Sequence, residues 1–581
     1  MIQIPGQSGW RQSNQSDRLG TIKESFNVDL ESNIRNVRTT RSKLIASGGN
    51  TQDEIGRIAG ITTFDAIISV FTGQAGGDHW KGGNSPFDGL TLNNGQITPA
   101  MNGTDTANFQ GKLYVTTDSD IEFSSDGTSF TAKSASLTSG TPHLLASKGD
   151  FLYLTDDRYK IYNVDTLNVV NKTGTATLDL DLGTTYFQTV LMTSSDRVWV
   201  GLSSTASTGY SNALIYEWNG ITENAISRRY EINAPAIMCG VMKDDVPYVL
   251  DCLGRLLRWN GGVFAEVDRL PMNKKMFKDF SSINLANRVM HPRCIDVDGD
   301  EILINVSNAI DNDTETTFAD FPAGVWAWSE RTGFYHKFSP SYQAVADTGT
   351  TNLTDYGQAR IYFADVLKVI ESFQTTTGDG GRVVWGASYF TDADDATSDL
   401  TYGVFTNDTA DNTQKAGYII TPKIHSSTFR DKWQKIYAAF SELDGNDKCV
   451  LKYRTDDTEL YTNIEWRGTD AFEPTEVVSD FEQGDEVQIV QGTGSGTAVE
   501  IDRVTTGSGE YIALKESVTG ASGTSVAKLA KWRKVGEITD QSIKGYPIGE
   551  ESHWIQFKIY MNWTGAKELY DLLVENSTSI K

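Results

Sequence analysis

The segment DVDGDE, Asp296 to Glu301, sets four acidic side chains around one glycine. Some calcium loops gather carboxylate oxygens in this way. This segment lacks the full acidic alternation and the distal bidentate glutamate. An acidic turn is therefore expected and no metal is assigned, with calcium at Asp296–Glu301 left open. The six histidines, His79, His143, His291, His336, His425 and His553, form no close pair of the kind that ligates a metal. No HExxH, GxSxG or GxxxxGK[ST] occurs. The glycine runs GTGSGT and TGSGE have no strand-then-helix context, so they read as hairpin turns rather than phosphate loops. The expectation is a protein without catalytic residues or a cofactor, and not an enzyme. Arg35, Arg38 and Arg41 recur every third residue beside Lys43, in SFNVDLESNIRNVRTTRSKLIAS. They are the candidate interface residues, either on an extended arm docking on an acidic partner or in a loop packed on its own chain.

Composition narrows the partners. The 581 residues carry 51 Lys and Arg against 76 Asp and Glu, a formal charge of −25. Such a surface repels phosphate backbones, so tight wrapping of nucleic acid is not expected. Hydrophobic residues at 39% are enough for packed cores. Cys239, Cys252, Cys294 and Cys449 make no CxxC and are expected to be free, buried thiols. The first residues have no charged-then-apolar leader, and runs such as AIISVF are too short to span a membrane. Synthesis in a cytoplasm is expected.

The elements that would position any site are strands. LIYEWNGIT (Leu214–Thr222), LLRWNGGVF (Leu256–Phe264) and IEFSSDGTSF (Ile121–Phe130) each place Asn-Gly or Asp-Gly between apolar runs. That pattern predicts a two-residue type I′ hairpin. SSDGTSF is one residue too short for the Asp-box of sialidase propellers. Short apolar strands precede these hairpins, marked by Ile67, Leu113, Leu152, Val198, Tyr248, Ile302 and Ile361 at gaps of 39 to 59 residues. Several strands and a turn per period of roughly 40–50 residues is the signature of a propeller blade. A sandwich or long meander shares much of the pattern.

The predicted fold is all-β. Residues 1–60 form an extended N-terminal arm and 61–412 a β-propeller of six or seven blades. Residues 413–473 with 532–581 form an antiparallel β-sandwich, which carries a small β-barrel-like insertion at 474–531. KELYDLLVEN near the end fits a helix or a strand equally.

The polar arm with SFNVDLESNIRNVRTTRSKLI, the aromatic strands of GVWAWSERTGFYHKFS, and RIYFADVLKVIESFQTTTGDGGRVVWGASYFT running into GYIITPKI and FRDKWQKIYAAF form an ordered pattern. It resembles the propeller-bearing structural proteins of tailed-bacteriophage necks and tails, of the tail nozzle or tail hub type. The resemblance covers most of residues 20–460 and rests on order rather than on a diagnostic motif. It implies a virion component made in the host cytoplasm, forming a homo-oligomeric ring or tube. Its partners would be itself, the portal or adaptor and other tail proteins. DNA would pass during ejection without sequence-specific binding, and no membrane span is implied. The alternative is a receptor- or carbohydrate-binding tail-tip protein using Trp80, Trp466 and Trp532.

Overall fold

The computed structural model describes 49 strands between Ile2 and Thr578 with their adjoining turns. Outside the described residues lie most of 1–57, 94–104, 157–185 and 371–399. Segments 73–77, 83–89, 205–210, 222–225, 272–289, 308–321 and 340–360 lie outside as well, with shorter stretches elsewhere. The fold is all-β, and the described residues contain no helix.

Seven antiparallel sheets of four or five strands follow one another along the chain. Their first strands are Ile58–Phe64, Thr106–Phe109, Leu145–Lys148, Tyr186–Thr193, Ile237–Lys243, Ile295–Asp298 and Ile361–Val369. Each first strand touches the next, and the seventh touches the first, so the contacts form a closed cycle. Second strands such as Phe151–Asp156 and Val198–Ser204 are buried almost throughout. Sheets covered on both faces need such continuous apolar runs. Aromatic pairs fill the seams: Tyr153 meets Trp218 at 5.6 Å, Trp199 meets Trp259 at 5.2 Å, and Phe338 stacks on Trp385 at 5.5 Å.

Polar groups register the seams. Ile237 N–H donates to Ser203 Oγ at 3.0 Å, and Ser203 Oγ donates to Ile237 O at 3.1 Å. Where the cycle closes, Ile58 N–H donates to the buried Asp365 Oδ2 at 3.2 Å. A Cβ at Gly386 would lie 2.5 Å from the Ile58 side chain there, so glycine permits the close approach. The seventh sheet takes its fourth strand from far upstream: Ser42–Gly48 pairs with Leu400–Asn407.

The turns correct the sequence reading. The repeated Asn-Gly phrases do lie between third and fourth strands, but not as two-residue hairpins. Asn260 to Val263 span the gap between paired Trp259 and Phe264, and Asn260 Oδ1 accepts from the N–H groups of Gly262 and Val263. Asp126 Oδ1 likewise accepts from Thr128 and Ser129 N–H, both at 2.8 Å. Asparagine and aspartate serve here as side-chain turn acceptors, and the positive φ falls on the glycine that follows, Gly127 at 64°, Gly220 at 75° and Gly261 at 95°. Two-residue turns with positive φ at both positions occur instead between first and second strands, at Gln110 (48°) with Gly111 (73°) and at Asp244 (51°) with Asp245 (64°).

Two further six-stranded sheets face each other. One orders Tyr546–Ser552, Asp431–Phe440, Glu568–Thr578, Val37–Thr39 and Val28–Asp29, with Ile2–Ile4 also on Glu568–Thr578. The other orders Glu24–Phe26, Gln414–Ile420, Trp554–Thr564, Lys448–Thr455 and Arg533–Ile538, with Ile424–His425 on Trp554–Thr564. Trp433, Ile436, Leu572 and Val574 from the first sheet share a core with Leu451, Phe557, Ile559 and Trp563 from the second. KELYDLLVEN is therefore strand. Six strands close a small barrel: Glu459–Trp466, Ala471–Pro474, Tyr511–Leu514, Ala498–Thr505, Glu486–Gln491 and Thr524–Ala530. Trp466 and Phe472 sit in its core. The barrel thus takes in strands from Glu459 onward, ahead of residue 474, where the sequence reading began its insertion.

The N-terminal segments are laced into both bodies. Glu24–Phe26 pairs with Gln414–Ile420, Val37–Thr39 with Glu568–Thr578, and Ser42–Gly48 completes the seventh sheet. Against the sixth sheet, Ser25 Oγ accepts from His336 N–H, and Phe26 stacks on the His336 ring at 5.0 Å. Lys337 of the same strand is buried between Glu301 and Asp29, and the Tyr335 hydroxyl donates its one proton to Glu301, with Asp29 Oδ1 3.2 Å away. Burial alone would lower the ammonium's pKa, but the flanking charges of Asp29 and Glu301 outweigh it and hold the pKa above the usual lysine range. Burial, with Asp29 nearby, pushes the Glu301 carboxyl upward against the pull of Lys337. The ammonium is the fixed charge of this cluster. One apolar core runs from Leu303 and Val325 of the sixth sheet through Trp385 of the seventh to Trp433 and Trp563.

Candidate functional site

The first strands of all seven sheets converge on one cavity of about 470 Å³. Convergence demands short side chains, and Thr62, Thr106, Ala107, Ala146, Ser147 and Gly240 supply them. Longer side chains line it too, Met192, Met242 and Lys368 among them, and the one that ties strands together is Arg293, just ahead of the sixth sheet's first strand. Its Nε donates to Asp105 Oδ2 at 2.7 Å, Nη2 to Leu145 O at 2.6 Å and Nη1 to Leu191 O at 3.1 Å. One guanidinium from the sixth sheet thereby holds the second, third and fourth. Asp105 is itself fixed, because it accepts Thr106 N–H on Oδ1 and Leu145 N–H on Oδ2, both at 2.8 Å. A planar five-donor fork suits this multi-point task, and a lysine point charge does not. Across the cavity, Asp296 Oδ2 accepts Val369 N–H at 2.9 Å and pairs with Lys368 Nζ at 3.0 Å.

The arrangement can tie strands together and present a few donors to a small polar guest. Among the described lining residues there is no histidine or cysteine to act as base or nucleophile. A sphere of this volume is about 10 Å across, less than the ~12 Å width of one DNA major groove. Arg293→Lys keeps the charge but loses the fork. It should destabilise the protein by ~1.5–3 kcal/mol, the scale of hydrogen bonds to a charged group. Urea unfolding reads this directly, and an unchanged midpoint would remove Arg293 as the hub tie.

The acidic motif does not converge on a cation. Asp296 faces Val369 and Lys368, whereas Glu301 faces Lys337 and Tyr335. Among the described residues no group of three or more His, Cys, Asp or Glu is placed to hold a metal. Of the candidate interface residues, Arg38 ion-pairs with Glu568 in the same chain. Lys43 lies in the strand of the seventh sheet, its backbone opposite Thr406. Arg35 and Arg41 lie outside the described residues. Arg38 and Lys43 belong to different sheets. Trp466 is buried and donates Nε1–H to Ser525 Oγ at 3.0 Å, and Trp80 is half-buried against an apolar cluster. Trp532 lies outside the described residues. All four cysteines are buried and free, as expected. Asp105 and Arg293 gave no sequence signal, since neither sits in a motif.

No protein-family model matches this chain, and no curated protein matches it. Among solved structures, the computationally designed Ika8 protein is similar at 13% identity and a TM-score of 0.34, over 69% of this chain and 100% of that one. Chaetomium thermophilum Raptor is similar at 10% identity and a TM-score of 0.39, over 63% of this chain and 29% of that one. At these scores neither likeness bears on fold or function.

Proposed function

We propose that the seven sheets are the blades of a β-propeller and that the two six-stranded sheets form an antiparallel β-sandwich. On this reading the chain is a structural subunit of a bacteriophage tail or neck, a homo-oligomeric ring or tube below the portal or adaptor that conducts DNA during ejection. The observation that carries it is the lacing of the N-terminal segments through both bodies around one continuous core. Such a build resists relative motion of its parts, as a load-bearing subunit requires. The charge of −25 favours a wall past which a polyanion slides without sticking. The central cavity is too small for a duplex and is crossed by Arg293, so the DNA path would run between subunits. Electron microscopy of the purified chain, alone and with portal-complex proteins, tests the reading. A symmetric ring is expected; a stable monomer with no affinity for portal-complex proteins would overturn it.

A further inference from the structure

The Asn-Gly phrases of blades four and five end in exposed apolar residues: Ile221 is 58% exposed and Val263 57%. Ile226, on the outermost strand Ile226–Ile232 of blade four, is exposed too. The two tips adjoin, because Arg228 Nη1 on that strand donates to Gly261 O at 3.2 Å, and Tyr230 packs edge-on against Phe264 at 5.6 Å. Arg228 and Arg229 are exposed, and no acidic side chain among the described residues forms an ion pair with either. By contrast, nearby Arg258 pairs with Glu330, and Arg269 with Glu266. The rim therefore combines an apolar strip with two uncompensated cations, on a chain of strongly negative charge. Arginines on an outermost strand also oppose strand-to-strand zipping, which leaves docking through side chains.

The complementary surface is on the same chain. Residues 459–530, the barrel, hold 13 acidic residues against 4 basic ones. Its outer face presents Tyr461, 59% exposed, with exposed Val490 and Glu465. Tyr461 and Val490 lie on strands that flank Thr524–Ala530 on either side.

We infer that the rim formed by Ile221, Ile226, Val263, Arg228 and Arg229 docks onto the barrel of a second copy of this chain, its apolar residues on Tyr461 and Val490 and its arginines toward Glu465, beside Lys528 over the Tyr461 ring. Such a contact joins unlike patches, and heterologous contacts that close generate rings. The inference rests on the subunit reading above and assigns its interface.

Sedimentation of the full chain against concentration tests it. Ile221→Asp with Val263→Asp should weaken self-association about 30-fold, the scale of a central interface residue. Arg228→Glu with Arg229→Glu should do likewise, and added Glu465→Lys should recover part of the loss. Near-UV circular dichroism and the unfolding midpoint establish that each variant is folded; if the aspartates impair folding, the arginine reversals carry the test. Folded variants that assemble like the wild type sink this surface and leave the subunit reading standing. A wild-type chain that stays monomeric at every concentration, with or without portal-complex proteins, sinks both.

Discussion

A chain lacking residues 1–48 should fail to reach a cooperative native state. Three separate sheets would lose strands at once. The seventh sheet would lose Ser42–Gly48, and the two facing sheets would lose Val28–Asp29, Val37–Thr39 and Glu24–Phe26. Buried Ile22, Phe26, Val28, Leu30, Val37 and Ile45 would go with them. At ~1.5–3 kcal/mol per fully buried large side chain, six such losses rival the whole 5–15 kcal/mol by which native domains are stable. The open edge of Leu400–Asn407 would then invite aggregation. Solubility, near-UV circular dichroism and limited proteolysis measure the outcome. A soluble truncated chain melting as sharply as the full one would show that the lacing is incidental.

Lys337→Met should be the most damaging of single substitutions away from the apolar core, by ~3–5 kcal/mol. Methionine matches the aliphatic stem, so packing changes little. The loss is electrostatic, because Glu301 and Asp29 would be left facing each other without the ammonium that both approach. Adding Glu301→Gln should recover much of the deficit, since a neutral amide removes the stranded charge. Chemical denaturation of the two variants settles this, and additive losses would mean that the three groups are not one network.

Much of the fold was legible because burial on both faces writes continuous apolar runs. FLYLTD, RVWVGL, PYVLDC and EILINV all proved to lie in second strands. Two of the strands lining the cavity were missed for the opposite reason. LASK and IDVD face a crowded axis where short and polar side chains fit, so they lack an apolar signature. The seventh marker, Ile361, landed on a first strand, because that sheet's second strand begins only at Val383. Arg293 was invisible since two of its acceptors are backbone carbonyls of other sheets, which carry no residue code, and the third, the Asp105 carboxylate, lies 188 residues upstream. Ser42–Gly48 was read as loop or arm, as its partner lies about 360 residues downstream and local periodicity cannot report it. The turns were misjudged because Asn and Asp have two separate aptitudes, tolerance of left-handed backbone and side-chain acceptance, and here the second operates.

Ile2 is the register partner of Val574. Translation at roughly 5–20 residues per second puts about half a minute to two minutes between the emergence of these two strands. Throughout that interval Ile2–Ile4 lacks the mate it takes among the described residues. Maturation must therefore finish after the late strand leaves the ribosome, and chaperones have a long window in which to shield the early one. A gene rearranged to bring the two strands together would shorten that wait.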